Sequence, residues 1–108
     1  MRKILNNDQT TGDVFHGVPP QFAIVIINPA GNTFPDNTYL EYAVSVVEGE
    51  PVAASDMVWN KRHPSPFGAD AGVGQNGNTV KFFNHISGVA YRMVTDTAGI
   101  EAVIGTVL

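Results

Sequence analysis

His16, His63 and His85 are the three imidazoles of the chain, and no i, i+2 or i, i+4 spacing sets two of them on one face of an element. A metal site would have to assemble in space from His63, Asp70 and His85, so the sequence predicts no metal centre. Ser45, Ser55, Ser65 and Ser87 are the serines, and none stands in a Gly-x-Ser-x-Gly elbow that would strain a nucleophile into the open. Glu48 and Glu50 flank a turn before Pro51, where like charges in solvent favour solubility rather than acid–base chemistry. Gly72-Val73-Gly74-Gln75-Asn76-Gly77 matches G-x-G-x-x-G by letter. A pyrophosphate cradle needs a strand before that motif and a helix after it, whereas strand-like Thr79-Val80-Lys81-Phe82-Phe83 follows here, so no cofactor is expected.

The residues left with chemistry to offer are those of an interface. Lys61-Arg62-His63 forms a basic cluster where Trp59 ends an apolar segment, and Phe67 lies beyond it in the same glycine- and proline-rich stretch. Aromatic side chains and arginine are the usual anchors of protein contacts. Phe15 and Val18 stand out in an otherwise polar N-terminal region, and Val107-Leu108 keeps the last residues apolar. The predicted contact residues are therefore Phe15, Val18, Trp59, Lys61, Arg62, Phe67, Val107 and Leu108.

The elements that position them are strands. The chain has 108 residues, no cysteine, a formal net charge of −4, 44% hydrophobic and 15% charged residues. That length supports one core, and the missing cysteines remove disulfides, thiolate metal sites and cysteine nucleophiles together. A sequence pI near 5.1 argues against a phosphate-gripping surface, so no nucleic-acid partner is expected. The run Phe22-Ala23-Ile24-Val25-Ile26-Ile27 is too short to cross a membrane as a helix, and the residues after Met1-Arg2-Lys3-Ile4-Leu5 are too polar for a signal peptide.

Residues 1–20 read as a polar N-terminal arm that docks on a neighbour or stays loose. Residues 21–108 read as a single β domain. Gln21 to Ile27 is a central strand, and Tyr39 to Val47 alternates with Leu40, Tyr42, Val44 and Val46 on one side. Val52 to Trp59 reads as a third strand, with a short helical turn as its alternative. Residues 60–78 form a long Gly/Pro-rich loop, of a length that is uncommon without a role. Thr79 to Phe83, Gly88 to Thr95 and Ile100 to Leu108 complete the set, the last two joined through Thr95-Asp96-Thr97-Ala98-Gly99 as a closing hairpin. No sustained i, i+3, i+4, i+7 spacing occurs, so the fold class is all-β, a small antiparallel β-sandwich or barrel.

The texture of Gly88-Val89-Ala90-Tyr91-Arg92-Met93-Val94-Thr95-Asp96-Thr97-Ala98-Gly99-Ile100-Glu101-Ala102, in a small cysteine-free β protein, resembles the virion structural proteins of tailed bacteriophages. The likeness is to capsid decoration or cement proteins and to fibre-type β domains. It implies a non-enzymatic homo-oligomer, trimer favoured, that stabilises a shell by binding a major capsid or tail protein through its arm and loop; its location would be the virion, or otherwise the cytoplasm. Such families have no diagnostic catalytic residues, so no site residue carries over. Two other readings follow from the residues alone. One is a monomeric carbohydrate- or peptide-binding module using Tyr39, Trp59 and Phe67; the other is a small enzyme drawing on His63, Asp70, His85 and Arg92.

Overall fold

The computed structural model describes residues 2–28, 37–61 and 79–106. They form nine strands: β1 (Arg2–Leu5), β2 (Gln21–Ile27), β3 (Tyr39–Val44), β4 (Val46–Val47), β5 (Glu50–Pro51), β6 (Asn60–Lys61), β7 (Thr79–Asn84), β8 (Val89–Val94) and β9 (Glu101–Thr106). Two antiparallel sheets pack face to face as a sandwich, one ordered β1-β9-β2-β7 and the other β6-β3-β8. We refer to them as the four-stranded and the three-stranded sheet. The alternation read from the sequence holds where it matters. Phe22, Ile24 and Ile26 of β2, Leu40 of β3, Val89, Tyr91 and Met93 of β8, and Ala102 and Ile104 of β9 all point into one core. β2 is central, as expected, lying between β7 and β9.

Residues 2–20 correct the expectation of an arm. Arg2, Lys3 and Leu5 pair with β9, with a bulge between Lys3 and Leu5. The chain then runs beside β8: Gly12 N–H donates to the Met93 carbonyl (2.8 Å), and Phe15 and Tyr91 exchange both backbone hydrogen bonds at 2.8 Å. Phe15 is 1% exposed and Leu5 fully buried. Phe15 therefore faces this chain's own core, which removes it as a contact residue. Ile4, Leu5 and Phe15 are the apolar side chains of this region that close the core. Gly12 is required there for space, because a Cβ would overlap the Ile4 carbonyl oxygen.

Three further expectations change. The strand predicted from Val52 to Trp59 gives way to a single 3-10 turn at Ala54–Asp56, the helical alternative, with extended backbone on either side. The strand predicted from Tyr39 to Val47 breaks at Ser45, and Val46–Val47 turns back onto Glu50–Pro51. The two-residue loop of that hairpin, Glu48 (φ 52°) and Gly49 (φ 79°), has both residues left-handed, the geometry whose twist suits adjoining strands. The predicted closing hairpin also fails to form. β8 lies in the three-stranded sheet and β9 in the four-stranded one, so residues 95–100 cross between layers. Gly99 takes a positive φ of 132°. The crossing is fixed by a buried hydrogen bond between the Thr38 and Thr95 hydroxyls at 3.0 Å. Of the predicted loop 60–78, Asn60 and Lys61 form β6 against Tyr42 and Glu41, and the remainder lies outside the described residues.

The N-terminal segment is thus part of the fold. Phe15→Ala is expected to cost about 3–5 kcal/mol in urea unfolding, and Gly12→Ala about 1–3 kcal/mol from overpacking. An unattached arm would leave both unfolding midpoints unchanged.

Candidate interaction surfaces

The outer face of the three-stranded sheet gathers the polar and aromatic groups. Successive residues of a strand alternate in direction, so Leu40 and Tyr42 pointing inward leave Tyr39 and Glu41 outward. Register sets Glu41 opposite Arg92 of β8 and Lys61 of β6. Arg92 Nε donates to Glu41 Oε1 at 2.7 Å, with side-chain exposures of 28% and 14%. The same guanidinium lies 4.2 Å over the Trp59 ring, and Lys61 Nζ lies 4.6 Å over the Tyr39 ring. Glu41 orients Arg92, and Arg92 holds the half-buried Trp59 against the sheet. The result is a pre-ordered patch of aromatic and cationic groups, the composition that interface anchors favour.

The outer face of the four-stranded sheet is its chemical opposite. Ala23, Val25 and Ile27 of β2, Val103 of β9, and Val80 and Phe82 of β7 point to it, because their neighbours in each strand point to the core; Ala23 and Val103 are themselves buried there, and the exposed apolar side chains are those of β7. Lys3 and Glu101, 3.5 Å apart, mark its polar margin on the β1 side. Phe82 is 70% exposed and Val80 49%. Lys81, between them, sits opposite Ile24 and faces the inner side. Burial there disfavours its ammonium and holds its pKa below the ordinary lysine value.

A cleft of about 320 Å³ beside the β4–β5 hairpin is lined by His16 and His85 together with Ser45, Val52 and Met57. His85 Nδ1 is 3.1 Å from the Tyr91 hydroxyl, which also accepts from the Ile86 N–H at 3.2 Å. His85 therefore positions a turn. Tyr91 and Arg92 are successive residues on opposite faces of β8, so His85 and Arg92, joined in the enzyme reading, serve opposite sides of the sheet. Among the described residues no three of His, Asp and Glu gather as a metal site. His63, Asp70 and the 72–77 glycine motif lie outside the described residues.

Of the predicted contact residues, Trp59 and Lys61 share one surface and Phe15 is internal. Val18 is partly buried against the core. Arg62, Phe67, Val107 and Leu108 lie outside the described residues. Sequence reasoning singled out neither Val80 nor Phe82 of the apolar outer face. Its signal was the pair Phe82-Phe83: adjacent strand residues must face opposite ways, so only one can reach the core. Among the described residues no helix is long and apolar enough to cross a membrane. No family model, curated protein or solved structure matches the chain.

Glu41→Ala is expected to lower stability by about 1–2 kcal/mol, between the values for exposed and buried ion pairs. The same change frees Arg92 and shifts the emission of Trp59, the sole tryptophan, to longer wavelength. Lys81 predicts a pH dependence. Its proton is held more weakly in the folded chain than in the unfolded one, so stability rises with pH between the lowered value and the ordinary one. Lys81→Met is expected to flatten that alkaline rise in urea midpoints.

Proposed function

We propose that this chain is an assembly protein of the decoration type, which associates with itself and attaches to a larger protein shell such as the capsid or tail of a tailed bacteriophage. The observation that carries the reading is the pair of exposed apolar side chains on the outer face of β7, Phe82 at 70% and Val80 at 49%. Large exposed aromatic and aliphatic groups grouped on one sheet face are a mark of interaction surfaces. Covering a side chain such as Phe82 is worth about 1.5–3 kcal/mol, enough for a few such residues to drive association. The Arg92–Trp59 patch lies on the other sheet and offers a second, polar contact of different chemistry. One molecule can therefore hold its own copy through the four-stranded sheet and a shell protein through the three-stranded one. The resemblance in texture to virion decoration proteins supports the shell as partner. The N-terminal segment is tied into this chain's own sandwich.

A second reading, a monomeric binding module for carbohydrate or peptide, draws support from the Tyr39 and Trp59 rings, each covered by a cation on the three-stranded sheet. The two readings differ in native mass and in what the aromatic patch binds.

Light scattering on the purified chain is expected to give a discrete oligomer at micromolar concentration. Negative-stain microscopy is expected to show it bound to particles. Trp59→Ala should lose particle binding while keeping the oligomer. A stable monomer that binds no particle and saturates with a glycan or peptide would establish the module instead.

A further inference from the structure

Among the described residues the four-stranded sheet ends on β7, and the hydrogen-bond phase of that edge can be worked out. His85 N–H donates to the Pro20 carbonyl at 2.8 Å, in register with Gln21↔Asn84 and Phe22↔Phe83. In an antiparallel ladder, hydrogen-bonded and non-bonded pairs alternate. Residues 79, 81 and 83 therefore turn their backbone groups toward β2, and Val80 and Phe82 turn theirs toward the outer edge. The other edges are blunted. β1 carries Arg2, Lys3 and a bulge; β6 is two residues long; and β8 is covered by Thr11 and Phe15. β7 by contrast has no proline and no bulge in its pairing with β2, and its one charged residue faces inward. That is the profile of an edge that takes on another strand.

We infer that β7 pairs antiparallel with β7 of a second copy about a two-fold axis perpendicular to the sheet, with Phe82 on the axis. This rests on the assembly reading and names its contact. Such an axis keeps outward residues opposite outward residues, and two registers then give the longest overlap. The one spanning 79–83 sets Lys81 against its own mate, like charge opposite like charge, which is destabilising. The one spanning 80–84 sets Phe82 against Phe82 and Lys81 against Phe83, which favours it on both counts. Two four-stranded sheets then become one of eight strands, and the exposed Val80 and Phe82 side chains of the two copies form one apolar strip across the axis. The pair is closed by symmetry, in place of the trimer that the resemblance implies.

The chain has no cysteine, so single substitutions report the register cleanly. Phe82→Cys places two sulfurs at a hydrogen-bonded pair with Cα atoms about 5.5 Å apart, inside disulfide range, and is expected to cross-link. Val80→Cys sets its pair about 13 Å apart along the strands and is expected to stay reduced. Phe82→Lys, at an exposed position, should halve the native mass without changing the circular dichroism. Amide exchange at Val80 and Phe82 in the wild-type chain should slow as concentration rises. Unchanged exchange across that range, or cross-linking at residue 80 as ready as at 82, overturns the pairing. A chain that decorates particles without these edge signatures keeps the assembly reading and removes β7 as its contact. One that pairs through β7 yet binds no particle does the reverse.

Discussion

Tyr91 is the residue through which the two sheets hold each other. Fully buried, its ring lies 5.6 Å from Phe15, stacked, and 5.4 Å from Phe22, while Phe22 in turn stacks on Phe83 at 5.7 Å. The cluster ties β8 of one sheet to β2 and β7 of the other and to the N-terminal segment beside β8. Aromatic pairs at such spacings add to the area they bury. A buried phenol also needs its hydroxyl satisfied. The turn after β7 does this through His85 and the Ile86 N–H. One side chain thereby fixes the sheet separation, the docking of residues 10–15 and the end of β7.

The treatment of sheet edges follows from that centre. Because Phe15 enters the cluster, the backbone around it is drawn along β8 and closes that edge with hydrogen bonds. The three-stranded sheet is thus covered on its β8 side by a segment without strand-like sequence. β7 receives no such cover from the described residues, although its end is held by the same cluster. Firm anchorage with an outward row of backbone groups is what a docking strand requires, since little ordering remains to be done on association.

The outer faces divide the chemistry. On the three-stranded sheet, Glu41, Arg92 and Trp59 hold one another, so a partner meets groups already in position. On the four-stranded sheet, Val80 and Phe82 offer area and no charge. The two faces lie on opposite sides of one shared core.

Alternation and turn residues made the all-β class, the central position of β2 and the inward row Val89, Tyr91 and Met93 legible in the sequence, because each is a local property of a few neighbouring residues. Trp59 and Lys61 stand out in the sequence by residue type, but Arg92 and Glu41, which hold Trp59 in place, come from strands elsewhere along the chain. The docking of Phe15 leaves no periodic trace, since it depends on Tyr91 more than seventy residues later. The link at residues 95–99 has the turn residues of a hairpin, and those residues specify that the chain reverses but not which sheet receives the next strand. That choice belongs to the tertiary structure: the inward faces of β8 and β9 bury more by facing each other across the core than by lying side by side in one sheet.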